Sequence, residues 1–178
     1  MKFFQCLKEN YFNVLVAGLI LALLWVAIVT QIKFVFLNSE SVPFKVCVHV
    51  YNLKPEKESL CALNFKGRTF VKYLVGVAGD EIRYVDDDGS FGKTIYVGDM
   101  KIGEVKKAKH LTPISARKIP EGYVFVAGTH PDSLDSRYEE FGLIPVQDIQ
   151  GKVFGCVQHW PFFKFSTQVP FDVTTKKS

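Results

Sequence analysis

An uninterrupted apolar run near the N-terminus constrains this chain more than any other feature. The run extends from Tyr11 to Thr30, contains no charged residue, and has only Asn13 and Thr30 as clearly polar positions. A transmembrane helix needs roughly 20 mostly apolar residues, and this run has that length. A cleavable signal peptide has a shorter apolar core, about 7–15 residues, followed by a small-residue cleavage site. The residues Ile28–Ile32 do not form such a site, so we predict an uncleaved membrane anchor.

The anchor divides the chain into three predicted parts. Residues 1–10 form a short cytoplasmic N-terminus, residues 11–32 the transmembrane anchor, and residues 33–178 an exported domain. Lys2 and Lys8 precede the run, whereas Lys33 and Glu40 follow it. With the N-terminal amine added, positive charge is in mild excess before the run, which favours an N-terminus inside the cell.

The exported domain is predicted to be mostly β, because short β-branched and aromatic runs alternate with turn residues. The predicted strands are Phe44–Tyr51, Thr69–Val77, Glu81–Val85, Thr94–Val97, Lys101–Glu104, Tyr123–Ala127 and Lys152–Gln158. The turn Asp86–Gly89 predicts a solvated hairpin tip, since the later ligands of a calcium loop are missing. The aromatic segment Trp160–Phe165 fits the membrane interface and core packing equally well. The terminal residues Thr174–Ser178 are predicted to be disordered.

Charge and cysteine content exclude several classes of function. The net charge is +4 with the lysines scattered along the chain, so no basic patch predicts nucleic-acid binding. No CxxC pair and no His or Cys at metal-ligand spacing occurs, and neither a metal nor a cofactor is predicted. Cys6 precedes the anchor, and Cys47, Cys61 and Cys156 follow it. Two arrangements remain open, a Cys47–Cys61 disulfide that leaves Cys156 unpaired and three buried free thiols.

Three short segments together carry the residues of a reactive site. The first is Asn38–Pro43, with the sequence NSESVP, and the second is Phe70–Asp80, with the sequence FVKYLVGVAGD. The third is Gly128–Tyr138, with the sequence GTHPDSLDSRY. A serine hydroxyl is a weak nucleophile that needs an adjacent base. Lysine can be that base only if burial in an apolar site lowers its pKa towards neutral pH.

The lysine of the second segment lies where such burial is expected. Under strict strand alternation, the side chain of Lys72 shares a face with Phe70 and Leu74. Taken alone, Lys72 would be interpreted as a surface lysine on an edge strand, and the flanking motif reverses that interpretation. A Ser–His–acid triad or a histidine metal site is disfavoured, because nothing gives the four histidines, such as His130 in its turn, the required context.

The three segments resemble the motifs of the signal peptidase I family, whose active site is a serine–lysine dyad. The matching positions, in the expected order, are Ser39, Ser41, Lys72, Gly76, Gly79, Asp80, Ser133, Asp135, Ser136, Arg137 and Tyr138. The resemblance covers nearly the whole chain. It implies a signal-peptidase-like catalytic β domain that is anchored by one N-terminal transmembrane helix. It implies Ser41 as the nucleophile and Lys72 as its base.

The resemblance also suggests roles for the residues around the dyad. The hydroxyl of Ser39 and the backbone N–H of Ser41 would form an oxyanion hole. Ser133 would hydrogen-bond the lysine amine and aim it at the nucleophile. Asp135 and Arg137 would form a structural ion pair that holds the turn, and Ser136 would pack the same corner.

Departures from the usual motifs suggest a particular branch of the family. Val42 leads directly into Pro43 where a methionine and a spacer are usual, and the third segment carries His130-Pro131-Asp132 in place of an Asn-rich turn. These traits resemble the conjugative-transfer, TraF-type peptidases, which mature and sometimes cyclise pilin subunits. Such an enzyme would cleave exported precursors after small side chains. It would lie in the bacterial inner membrane, in contact with lipid, with its catalytic domain on the periplasmic face. The alternatives are a housekeeping signal peptidase and an inactive assembly subunit of a secretion apparatus.

Overall fold

A single long helix forms the N-terminal unit of the protein. The computed structural model describes residues 2–37, 41–86, 93–105, 110–157 and 171–173, and it divides into two compact units, Met1–Lys33 and Phe34–Ser178. Helix α1 spans Lys2–Thr30. The Thr30 hydroxyl donates to the Ala27 carbonyl at its last turn, at 2.9 Å. Within the described residues, its window Asn13–Thr30 is the one candidate membrane span by length and composition, and none of that window is buried.

The helix and the predicted anchor differ at both ends. The helix includes residues 2–10, which the sequence assigned to a separate N-terminal segment, and it ends at Thr30 rather than at residue 32. A strand begins at Ile32, in the sequence IKFVF, where Lys33 interrupts the apolar run. The β-branched and aromatic residues of this segment favour a strand over a helix, which explains the earlier end of the helix.

Among the described residues, eleven strands form two sheets, and all of them except the first two residues of the first strand belong to the second unit. They are β1 (Ile32–Phe36), β2 (Val46–Tyr51), β3 (Ser59–Phe65), β4 (Arg68–Gly76), β5 (Ile82–Asp86), β6 (Lys93–Val97), β7 (Met100–Val105), β8 (Tyr123–Ala127), β9 (Ile144–Pro145), β10 (Ile149–Val157) and β11 (Asp172–Val173). One sheet has the order β1-β2-β10-β3-β4-β8-β9, and the other has the order β11-β7-β6-β5. The protein is therefore mostly β with one N-terminal apolar helix, as the sequence predicted.

All seven predicted strands are present as β2, β4, β5, β6, β7, β8 and β10, with ends that shift by a few residues. Four strands were not predicted, and the failure to predict each one has a physical reason. β1 overlaps the end of the predicted anchor, and β9 and β11 have two residues each. β3 lacks alternation because its residues Leu60–Leu63 are buried on both faces. The Asp86–Gly89 turn beyond Asp86, the Trp160–Phe165 segment and Thr174–Ser178 lie outside the described residues.

Strand β4 separates two hydrophobic clusters. Val71, Tyr73 and Val75 belong to the larger cluster. Leu74 and the partly buried Phe70 belong to the smaller one. Because neighbouring residues of a strand point to opposite faces, the position between Phe70 and Leu74 faces the smaller cluster. That position is Lys72, and the predicted sharing of a face with Phe70 and Leu74 is confirmed.

Both cysteine arrangements considered from the sequence are wrong. Cys61 is a free, fully buried thiol, whereas Cys47 is disulfide-bonded. Burial raises the pKa of the Cys61 thiol to about 12, so this thiol stays protonated and inert. The register of β10 against β2 pairs Phe154 with Val48 and Val157 with Val46. The two residues of β10 between these pairs, of which Cys156 is the second, therefore lie opposite Cys47 across a bulge, and sequence spacing could not indicate this proximity.

Candidate active site

Lys72 lies in the middle of β4, inside the protein. The residue is 1% exposed, although lysine is almost never fully buried without a partner. Its partner is Ser133, because the Nζ atom donates a hydrogen bond to the Ser133 Oγ atom at 2.6 Å. The cross-strand neighbour of Lys72 on β3 is the buried Cys61, whose thiol donates to the Lys72 carbonyl at 3.5 Å. The amine is thus removed from water, and among the described residues Ser133 supplies its hydrogen-bond partner.

Burial gives Lys72 an unusual acidity. Loss of hydration disfavours the charged form and lowers the pKa of Lys72 from 10.5 to about 8. The negative charge of Asp135 raises this pKa, and the positive charge of Arg137 lowers it. Desolvation is the largest of the three causes. A pKa near 8 leaves about a tenth of the amine neutral at pH 7, which is enough for it to serve as a base.

Ser41 is brought to the same place by the third sequence segment. Its carbonyl accepts a hydrogen bond from the Thr129 N–H at 2.8 Å. Its Oγ atom accepts one from the Ser133 Oγ atom at 3.3 Å. Ser133 therefore lies between Ser41 and Lys72, and its hydroxyl contacts both the Ser41 hydroxyl and the Lys72 amine. The three residues are far apart in sequence and converge at one point.

The loop that carries Ser133 is held by a buried ion pair. The Arg137 Nη2 atom lies 2.8 Å from the Asp135 Oδ2 atom, and both side chains are almost completely buried. The guanidinium also donates to the carbonyls of His130, at 3.0 Å, and Ser133, at 3.3 Å. The ion pair raises the pKa of Arg137 against the opposing effect of burial. The ion pair therefore fixes the loop backbone before and after Ser133.

Further hydrogen bonds fasten this loop to the end of β8. The Gly128 N–H donates to the Asp135 carboxylate at 2.8 Å. Ser136 and Val126 form a pair of bonds, from the Ser136 N–H to the Val126 carbonyl at 3.0 Å and from the Val126 N–H to the Ser136 Oγ atom at 3.1 Å. Asp135, Ser136 and Arg137 all hold the loop and do not contact the Ser41 hydroxyl.

The lysine segment ends in a tight turn that closes β4. Gly79 adopts a positive φ of 92°, which favours glycine. The Asp80 carboxylate accepts the Val77 N–H at 2.9 Å and forms an ion pair with Lys57 at 2.8 Å. These contacts explain why the segment contains glycine and aspartate at its end, since they terminate the strand that carries Lys72.

The remaining predicted site residues have different outcomes. Ser39 lies outside the described residues. The His130 Nδ1 atom accepts the Asp132 N–H at 3.2 Å, and this ring is partly exposed. Within the described ranges, no group of three His, Cys, Asp or Glu side chains could hold a metal ion. Sequence reasoning missed Cys61 beside the lysine, because β3 was not predicted and only its pairing with β4 could have revealed the neighbour.

Comparison with known proteins finds matches to one protein family. The family model described as "Signal peptidase, peptidase S26" matches residues 10–160. A protein named signal peptidase I from Bacillus caldolyticus is 28% identical over 123 residues, which cover 58% of this chain and 60% of that protein. Proteins of the same name from Pseudomonas fluorescens and Pseudomonas aeruginosa are each 27% identical over 130 residues, covering 54% of this chain and 46% of theirs.

The chain thus spans about half to three-fifths of the length of these curated relatives. The family match itself extends from the N-terminal helix through the segments that carry Ser41, Lys72 and Ser133. Because this match covers most of the chain, the protein belongs to the signal peptidase family, peptidase S26.

Proposed function

We propose that this protein is a membrane-anchored serine endopeptidase that removes leader peptides from exported precursors with a Ser41–Lys72 dyad. The observation that carries the proposal is the buried Lys72, with its lowered pKa, bonded to the Ser133 hydroxyl, which in turn contacts the Ser41 Oγ atom. Burying a lysine costs free energy and serves no structural purpose in an apolar cluster. A chemical role for the neutral amine accounts for that cost.

The proposed reaction begins with transfer of a proton away from Ser41. The Ser41 O–H proton passes to the Ser133 Oγ atom, and the Ser133 proton passes to the neutral Lys72 amine, which becomes an ammonium. At the same time the Ser41 Oγ atom forms a bond to the scissile carbonyl carbon. When the intermediate collapses, the Ser133 hydroxyl gives its proton to the leaving amine and takes one from the Lys72 ammonium, which becomes neutral again. Water then attacks the acyl-enzyme and gives a proton through Ser133 to Lys72. The same proton returns through Ser133 to the departing Ser41 oxygen, which regenerates the free enzyme.

The supporting roles follow from where the other residues lie. The backbone N–H of Ser41 and the hydroxyl of Ser39 are proposed to stabilise the oxyanion. Asp135, Ser136 and Arg137 hold the loop that positions Ser133. An inactive assembly subunit is disfavoured, because a protein without activity gains nothing from burying Lys72 next to Ser133.

The proposed location is the bacterial inner membrane with the β domain, residues 33–178, on the periplasmic face. The helix Asn13–Thr30 is long and apolar enough to be the anchor, and membrane lipid is its expected surrounding. The disulfide at Cys47 supports a compartment outside the cytoplasm, because disulfides are rare in the reducing cytosol. The excess of positive charge before the apolar run Tyr11–Thr30 supports the same orientation.

The proposed substrate is a conjugative pilin precursor. The Val42-Pro43 step and the His130-Pro131-Asp132 turn support this choice, because both are similar to the TraF-type branch. The acyl-enzyme could also be attacked by the pilin's own N-terminal amine, which would join the two ends of the chain. A housekeeping role is the second candidate, because the relatives that match are named signal peptidase I.

The pH dependence of cleavage is expected to follow Lys72. Only the neutral amine can accept a proton, and the pKa of Lys72 is lowered to about 8. Cleavage measured as kcat/KM should therefore rise about tenfold per pH unit below pH 7 and level off above about pH 9. An ordinary lysine would move the midpoint above pH 10. The measurement is kcat/KM between pH 5 and pH 10, and a flat profile would contradict a lysine base.

The function itself is tested by cleavage of defined precursors. The purified full-length protein in detergent micelles is incubated with a candidate prepilin and, separately, with a general secretory precursor. Mass spectrometry should show loss of the prepilin leader, and a circular product would be lighter than the linear one by one water. Ser41→Ala is the matched control and should leave both precursors intact. Cleavage by Ser41→Ala at the wild-type rate would exclude the proposed nucleophile, and efficient cleavage of the secretory precursor alone would favour the housekeeping role.

A further inference from the structure

A cavity of about 490 Å³ lies at the start of β8, away from the proposed site. Its walls come from the loop between β2 and β3, the end of β4, the start of β8 and the start of β10. Ser41, Lys72 and Ser133 do not line it. Tyr123, which does, lies at the opposite end of β8 from Ala127, roughly 13 Å away along the strand. The cavity is therefore separate from the proposed site, and it has the volume of a small-molecule site, about 300–1,000 Å³.

Apolar side chains form most of the cavity wall. Leu74 and Val124 belong to this wall and are almost completely buried. Leu53, Tyr123 and Val146 also line the cavity, and they are 44%, 41% and 43% exposed. Large apolar side chains with this exposure are normally scattered singly over a protein surface. Three of them around one concave space indicate a place where an apolar group can be buried.

The loop between β2 and β3, which forms one wall, is fixed at both of its ends. Asn52 and Glu58 have φ of 59° and 68°, in the left-handed region that non-glycine residues rarely adopt. The Asn52 N–H donates to the Gln150 carbonyl at 3.4 Å, and the Glu58 N–H donates to the Leu74 carbonyl at 2.7 Å. Backbone strain of this kind persists only where the surrounding structure imposes it, and it is frequent at ligand-binding sites. The cavity is thus formed before a ligand arrives, which lowers the cost of binding.

Lys54 is the charged residue of the cavity wall. All the other described residues that line the cavity are uncharged. The neighbouring charges of the same loop already have partners, since Glu56 pairs with Lys152 at 3.2 Å and Lys57 with Asp80 at 2.8 Å. Within the described part of the chain, Lys54 has no such partner. An unpaired cation beside an apolar cavity favours an anionic ligand over a cationic one.

We propose that this cavity binds a small carboxylic acid that carries an aliphatic or aromatic group. The apolar group is buried against Leu74 and Val124, and the carboxylate stays beside the exposed Lys54, where water still hydrates it. A concave space of this size encloses one small molecule, whereas a protein partner needs a much larger contact surface. The site goes beyond the proposed function and does not depend on it.

Photoaffinity labelling of the full-length protein in detergent micelles tests this site. The probe is phenylbutyrate that carries a photoreactive diazirine group, and mass spectrometry identifies the labelled peptides. Labelling should fall on residues of the cavity wall such as Leu53, Tyr123 and Val146. Excess phenylbutyrate should abolish it with a Kd on the order of 1 mM, as expected for a ligand of this size. Labelling that does not saturate would show partition into the micelle and would overturn the proposal.

Val146→Asp and Val85→Asp form a matched pair for this experiment. Both valines are 43% exposed, but Val85 lies on β5 and does not line the cavity. Val146→Asp adds a carboxylate that opposes burial of the apolar group and repels the anion, so labelling should fall about tenfold. Val85→Asp should stay within about twofold of wild type. Equal labelling of the two variants would overturn the proposal. If thermal unfolding shows that Val146→Asp is not folded, Leu53→Asp supplies the same comparison.

The charge of the ligand is tested with phenylbutylamine that carries the same photoreactive group. The wild type should bind the acid about two- to fivefold more tightly than the amine, as expected for an exposed charge pair. Lys54→Glu should reverse this preference. Equal binding of acid and amine by the wild type, or an unchanged preference in Lys54→Glu, would overturn the assignment of a carboxylate ligand to this cavity.

Discussion

Replacing Lys72 by methionine is expected to abolish precursor cleavage while the protein stays folded. The substitution removes the amine that contacts Ser133 and keeps a long side chain in its place. General base catalysis contributes about 10²–10⁴-fold, so kcat should fall by at least that factor. Because a buried ammonium carries a desolvation cost and methionine does not, Tm should stay the same or rise. The measurements are kcat on the precursor and Tm of the full-length protein.

Lys45→Met is the matched control for this prediction. Lys45 is exposed and lies close to Ser41 in the chain, so the same substitution there should leave kcat within about twofold of wild type. Unchanged cleavage by Lys72→Met would show that Lys72 is not the base. Loss of activity because the variant no longer folds would show that the role of Lys72 is structural and not catalytic.

Replacing Asp135 by asparagine is expected to destabilise the protein strongly. The substitution leaves the Arg137 guanidinium buried without its carboxylate partner, which lies 2.8 Å away. Removing one member of a buried pair costs about 3–5 kcal/mol in free energy of unfolding. For a chain of this size, that corresponds to a fall in Tm of roughly 6–20 °C. Thermal unfolding of the full-length protein measures this effect directly.

The same variant has an electrostatic signature that a purely structural role would not produce. Asp135 raises the pKa of Lys72 and Arg137 lowers it, so losing the carboxylate lowers the pKa of Lys72 further. The rise of kcat/KM with pH should therefore begin at a lower pH in Asp135→Asn than in the wild type, measured below the Tm of the variant.

The control for Asp135→Asn is an ion pair at the surface. Arg117 lies 3.5 Å from Glu139, and both side chains are well exposed. Arg117→Gln should change the free energy of unfolding by less than about 1 kcal/mol, because exposed pairs contribute little. A similar, small change in Tm for both variants would show that the buried pair does not hold the Ser133 loop.

Much of the fold could be predicted because its signals are local. The long apolar run predicted helix α1, and alternation predicted strands such as β8, whose residues Tyr123–Ala127 match the structure at both ends. Strand β3 was missed for a physical reason. Its central residues are buried on both faces, so the alternation that identifies a half-buried strand is absent.

The candidate site could be predicted only as a set of residue types and motif positions. Ser41, Lys72 and Ser133 were identified before any geometry was known, and the structure brings them within hydrogen-bond distance. The arrangement among them was not predictable. Ser133 lies between the other two because the loop ion pair and the end of β8 hold it there.

The sequence by itself determined the apolar helix, most strands, and the serine and lysine that carry the proposed chemistry. These features depend on residues close together in the chain, so periodicity and motif spacing report them directly. Only the tertiary structure decided that Cys47 is disulfide-bonded while Cys61 lies beside Lys72, and that Ser133 lies between Ser41 and Lys72. Those facts depend on the register between strands that are distant in sequence. Pairing of this kind is set by the packing of the whole sheet, which no local pattern encodes.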